Sequence, residues 1–192
     1  MSSFTAFFDT NVLVPASVRD LLIQLATTGI FRAKWSTQVL DELRTVLVDR
    51  QGKPADRVDR MVQLMVLHAA DPMVEGYEPT INGLTLPDAD DRHILAAAIH
   101  ANAGVLVTCN LKHFPDEVLD PLGIEAQHPD EFIANLLDLH PGAVVGSVRM
   151  VLERLKNPPL TPAQLLDVYA RNRLVRTAVE LREFFGDGSE EA

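Results

Sequence analysis

Short apolar runs that stop on a polar side chain alternate, over roughly the first 140 residues, with stretches of helical spacing. Phe4 to Phe8 stops at Asp9, and Val105-Leu106-Val107 stops at Thr108-Cys109-Asn110. Between them, Leu21, Leu22, Leu25 and Ala26 keep a helical period. So do Val39, Leu40, Leu43, Val46 and Leu47, and then Val58, Met61, Val62, Met65 and Val66. Brief strands separated by helices cannot pair as hairpins. They predict an α/β fold with a central parallel sheet flanked by helices on both faces.

Punctuation divides the chain further. Pro15 suits a first helical turn and Gly29 ends that helix, leaving Ile30 to Trp35 as a brief strand or an extended connector. Ser36 is a good N-cap for a second helix, which puts Glu42 in its second turn. Gly52 and Pro54 precede a third helix over 55–70, and the Pro- and Gly-interrupted stretch 72–87 reads as irregular, with at most a small strand. Asp88 or Asp90 opens the next helix, with Asp90 suited to a cap, and Gly104 closes it. A one-turn helix after Pro115, a weak strand over Ile124 to Gln127 and a helix from Pro129 follow. Beyond Pro141 the strand pattern disappears. Residues 144–155 and 162–185 read as helices joined at Asn157-Pro158-Pro159, and the last residues, GDGSEEA, as an acidic tail. The expected organisation is therefore an α/β domain over 1–139 and an all-helical C-terminal extension over 140–192.

The net charge of −10 argues against a protein that coats nucleic acid by charge alone. The charge is uneven, however. Residues 71–91 carry Asp71, Glu75, Glu78, Asp88, Asp90 and Asp91 without one Lys or Arg. Residues 149–182 carry seven bases against three acids. The single cysteine, Cys109, excludes an internal disulfide and fits a reducing compartment. With neither a signal-like leader nor an apolar stretch of spanning length, a cytoplasmic protein without membrane contact is expected.

In open parallel sheets, ligands bind beyond the carboxyl ends of the strands. Asp9 and Asn110 stand at two such ends, and the Asp88-Ala89-Asp90-Asp91 cluster opens the helix leading into the second. Neighbouring carboxylates repel one another unless a cation compensates. Oxygen donors, with neither a Cys pair nor closely spaced histidines, suit magnesium or manganese better than zinc. Each acid also has a plainer reading: Asp9 as a turn residue, Glu42 as a solvent-facing helix residue, and Asp88 and Asp91 as acids favoured at a helix start.

Four segments, in order, resemble PIN domains: Phe7-Phe8-Asp9-Thr10-Asn11, then Ser36 with Leu40-Asp41-Glu42-Leu43, then Pro87 to Ala96, and finally Val107-Thr108-Cys109-Asn110. The resemblance implies a metal-dependent endoribonuclease cleaving single-stranded RNA by in-line attack of water at a two-metal centre, leaving a 5′-phosphate and a 3′-hydroxyl. It makes Asp9, Glu42, Asp88 and Asp91 the catalytic and metal-binding acids, with Asp91 preferred over Asp88 as the main third ligand. Magnesium or manganese would be the cofactor. Thr10, Asn11, Thr108 and Asn110 take supporting roles, Asn110 being one charge poorer than the family's fourth acid. Arg44, Arg50 or the basic C-terminal helices would guide the RNA backbone, and His113 would contact phosphate. Many bacterial PIN domains are VapC-type toxins of type II toxin-antitoxin pairs, and one subgroup carries a similar helical tail. RNA as substrate, a cognate antitoxin protein and a homodimer are thus the implied partners. A HAD-like phosphatase needs a carboxylate where Asn11 stands, so that reading loses. A catalytically degenerate PIN fold acting as a binding or scaffolding module remains as the non-enzymatic alternative.

Overall fold

Strands β1 (Phe4–Phe8), β2 (Phe31–Ser36), β3 (Met73–Val74), β4 (Val105–Val107) and β5 (Glu125–Gln127) form one parallel sheet in the order β3-β2-β1-β4-β5. The computed structural model describes residues 4–186, so the acidic tail expected at the chain's end lies, apart from Gly186, outside the described residues. β1 is central, pairing Phe4 to Phe31 on one side and Phe8 to Val107 on the other. The chain builds β1, β2 and β3 outward in one direction, then crosses back to lay β4 and β5 on the other side. The strand order therefore reverses between β1 and β4, and their carboxyl ends frame the crevice where such sheets hold ligands.

The helices are α1 (Thr10–Leu13), α2 (Ala16–Ala26), α3 (Thr37–Thr45), α4 (Ala55–His68), α5 (Glu78–Ile81), α6 (Arg92–His100), α7 (Asp116–Leu119), α8 (Pro129–Leu139), α9 (Pro141–Arg154), α10 (Pro162–Arg171) and α11 (Val175–Phe185). Ser36 caps α3 as its position predicts, its hydroxyl accepting from the Val39 amide at 3.3 Å. α3 then widens into a π-helical turn over Val46–Arg50. Trp35 is a packing anchor, fully buried and stacked on Phe8 at 6.3 Å between ring centroids. Phe31 and Phe132 meet edge to face at 5.2 Å and tie α8 to the sheet.

Several boundaries depart from the sequence reading. Of the two alternatives for Ile30 to Trp35, the structure takes the strand, which runs on through Ser36. Thr10–Leu13 and Glu78–Ile81 form single helical turns that a period-based reading is too coarse to see. The helix expected from Asp88 or Asp90 starts at Arg92. The Asp88 carboxylate accepts from the Asp90 amide at 3.0 Å and folds that segment into a turn, which delays the helix and leaves Asp90 without a capping role. The single helix expected over 162–185 breaks at Arg173, which takes φ +67°. There the Leu174 amide bonds to the Tyr169 carbonyl and the Arg173 amide to the Ala170 carbonyl, each within 3.1 Å, a Schellman ending without the usual glycine.

The expected division at 139/140 falls at His140, between α8 and α9. One continuous core runs across it: α9 packs on α2, α11 packs on α8, and Val144, Val148, Leu165, Tyr169 and Leu181 are buried with the sheet's own apolar residues. Asp130 at the start of α8 reinforces this seam by accepting from the backbone amides of Arg176 and Thr177 at 2.9 and 2.8 Å, at the start of α11. Among the described residues, no helix is long and apolar enough to cross a membrane.

Candidate active site

Because Phe8 pairs with Val107, Asp9 and Thr108 leave the sheet side by side. The Thr108 hydroxyl donates to Asp9 Oδ2 at 2.6 Å, and the Asn11 side-chain amide donates to the same oxygen. Asn11 also accepts from the Cys109 amide at 2.9 Å, so one side chain fastens the end of β1 to the end of β4. Asp9 Oδ1 meets only the Asn11 backbone amide, at 3.4 Å, and stays available to a further ligand.

Glu42 reaches this rim from α3. The Thr10 hydroxyl donates to Glu42 Oε2 at 2.6 Å, so the residue after Asp9 anchors the second acid. His93 Nε2 lies 2.9 Å from Glu42 Oε1, and Gln38, one helical turn earlier, donates to that oxygen at 3.3 Å. Asp91 comes from the start of α6, with His113 Nδ1 at 2.6 Å from its Oδ2 and 3.7 Å from Asp88 Oδ2. The ligand atoms of Asp88, Asp91 and His113 lie within 4.8 Å of one another, a group among the described residues that could hold a cation and that does not include Asp9 or Glu42.

The electrostatics follow from this crowding. Asp9 is 5% exposed, and its burial pushes the carboxyl pKa upward against the lowering hydrogen bonds from Thr108 and the Asn11 backbone. The negative charges of Asp91 and Glu42 raise it further, so the three acids share one electrostatic neighbourhood. Glu42 is only half-buried. Its partial desolvation acts upward but is outweighed by the hydrogen bonds from His93 and Thr10, which hold it below the ordinary carboxylate value. Such a group of oxygen donors with one imidazole suits a hard or borderline divalent cation.

Of the residues singled out from sequence, Asp9, Thr10, Asn11, Thr108 and Glu42 are joined by hydrogen bonds or chain adjacency, and Asp88, Asp91 and His113 form a second group. Asn110 is at the rim, but only its backbone takes part: its amide donates to Thr108 Oγ1 at 3.0 Å. Arg44 lies two residues from Glu42, about 200° around α3, and pairs with Asp59 of α4 at 2.7 Å. His113 meets Asp91 through its Nδ1 at 2.6 Å. His93, read from sequence as a packing or surface residue, is the partner missed; its pairing with Glu42 joins two helices and leaves no trace in local spacing.

Residues 5–112 match the family model described as "PIN domain", and residues 129–183 match the one described as "VapC50 C-terminal domain". A relative from Mycobacterium tuberculosis, named "Putative ribonuclease VapC50", is 42% identical over 99 residues. Those residues make up 52% of this chain and 58% of the relative, so the match spans less than two thirds of that protein. No solved structure matches the chain. The ordered acids at the reversal point of the sheet agree with the family match, which covers more than half of the residues: this chain belongs to the PIN domain family.

Proposed function

We propose that the protein is a divalent-metal-dependent endoribonuclease that cleaves single-stranded RNA. The observation that carries this reading is a buried Asp9 at the reversal point of the sheet, tied through Thr10 to Glu42 and made costlier to ionise by the charges of Glu42 and Asp91, beside the Asp88, Asp91 and His113 group. Asp9, Glu42 and Asp91 would hold the cation, with Asp88 beside Asp91, and magnesium or manganese is the class of ion that fits. When bound, the cation supplies the positive charge that neutralises the acids and activates water toward a phosphodiester. The chain's own task is positioning. Thr108 and Asn11 orient Asp9, Thr10 and His93 hold Glu42, and His113 steadies Asp91 beside Asp88. Asn110, one residue past this network, would support the substrate or the ion with its neutral side chain.

The two family matches together support a VapC-type toxin of a type II pair, acting on RNA and restrained by a cognate antitoxin protein; assembly as a homodimer is part of the same proposal. Cleavage of a single-stranded RNA pool is measured with magnesium, with EDTA and with Asp9→Asn. The expected result is cutting in the first arm only, and equal cutting in all three sinks the reading. Titration with manganese tests the scaffold alternative separately, because a non-catalytic module requires no saturable metal site.

A further inference from the structure

The corner between α10 and α11 is tied to the carboxyl edge of the sheet. The Thr108 amide, at the end of β4, donates to the Gln127 carbonyl at the end of β5, at 3.0 Å. Three residues on, Asp130 holds the start of α11 with its carboxylate, and its own carbonyl accepts from the Thr177 hydroxyl at 3.0 Å. Arg173 is the residue between the last cap of α10 and the first of α11. The electrostatics of Cys109 agree with that placement. Burial pushes the Cys109 thiol pKa up, the Asp9 carboxylate pushes the same way, and Arg173 pulls it down, so one side chain senses both. The Cys109 amide in turn donates to Asn11, whose side-chain amide donates to Asp9. An arginine of the helical extension therefore stands beside the carboxylate rim, on its β4 side.

Neighbouring bases of the extension are spent on the fold. Arg176 pairs with Glu180 and Asp138, and Arg182 with Asp167, all at 3.2 Å or less. Arg173 is exposed and makes no ion pair and no side-chain hydrogen bond among the described residues. Its backbone takes φ +67°, a conformation that glycine adopts freely and an L side chain only at a cost. A helix ending alone would favour glycine there. An arginine held at that cost, with its guanidinium unspent, points to a task outside the chain.

The adjoining rim defines that task. Asp9, Glu42, Asp88 and Asp91 are four acids, and one divalent cation offsets only two negative charges. On an RNA strand, the phosphate next to the scissile one then meets a rim that still repels it, unless a further cation stands alongside. A guanidinium suits that phosphate, because it is always charged and meets two phosphate oxygens with two parallel N–H donors. We infer that Arg173 is a substrate-binding residue of this site, contacting an RNA backbone phosphate beside the scissile bond, so that the helical extension supplies part of the nuclease site. The inference rests on the ribonuclease reading.

The test replaces Arg173 in the full chain by glycine, by asparagine and by lysine. Glycine and asparagine both accept the left-handed backbone and remove the charge, so the thermal midpoint is expected to hold with asparagine and to hold or rise with glycine. Binding of a labelled single-stranded RNA is followed by fluorescence anisotropy across a salt series, in an Asp9→Asn background so that the strand is bound without being cut. Losing one phosphate contact is expected to weaken binding on the order of fivefold in either uncharged variant and to flatten the slope of log K against log salt by about 0.7. Arg173→Lys, which keeps the charge, is expected to keep most of the slope. With Asp9 restored, the uncharged variants should show the loss in KM and not in kcat. Unchanged affinity and slope in both uncharged variants overturns the inference, and so does a lysine variant whose slope is as flat as that of the glycine one. The two readings fail separately. RNA cut with unaltered kcat/KM by Arg173→Gly removes the role of the arginine and leaves the nuclease. A flattened slope, in a protein whose unmutated form never cuts RNA, removes the nuclease and leaves the phosphate contact.

Discussion

A carboxylate buried to the degree of Asp9, facing two other acids, keeps its proton to a higher pH in the folded protein than in the unfolded chain. The stability this contributes is complete below the ordinary carboxylate range and is lost as pH rises through the raised value. Glu42 runs the other way: its contribution is present above the ordinary value and is lost as pH falls through the lowered one. Denaturant melts of the metal-free protein should therefore show an Asp9 contribution that falls as pH rises above the ordinary carboxylate range. Asp9→Asn should abolish that fall while lowering RNA cleavage by more than about a hundredfold. A variant whose melts keep the wild-type pH slope would show that Asp9 is not the group responsible. His93→Ala should weaken manganese binding by about 10- to 100-fold, read by calorimetric titration, because Glu42 loses its strongest holder. Asp9 was legible in the sequence because a strand ends on it. His93 was not, because its importance arises only when α6 is laid against α3.

At the scale of elements, the sheet reversal between β1 and β4 gathers the rim, and a single hydroxyl sets the angle at which the second acid enters it. Ser36→Ala removes the only side chain capping α3 and should cost about 1 kcal/mol of stability. It should also weaken metal binding, since the first turns of α3 carry both Gln38 and Glu42. An unaltered melt would mean that α3 is held by packing alone. Ser36 and its helix were readable because capping is local chemistry, and so was the strand ahead of Asn110. The late start of α6 was not readable: three aspartates in four residues offer several caps, and the Asp88 turn that decides among them is a matter of loop geometry. The break at Arg173 was hidden for a related reason. The usual signal of such an ending is glycine, and an arginine holds the left-handed position instead.

For the whole molecule, the extension and the α/β layer share one core, joined by α9 on α2 and by Asp130 at the head of α11. Leu181→Ala, at a fully buried position on α11, should cost about 2–5 kcal/mol and should shift one cooperative transition without splitting it. Two resolved transitions would show that the extension melts by itself. The outermost strands bear on assembly. β3 has two residues and β5 three, so each margin of the sheet offers a newcomer almost no backbone to pair with. Copies of this chain are thereby discouraged from growing into a continuous ribbon, and any pair they form must be joined through the outer faces of helices.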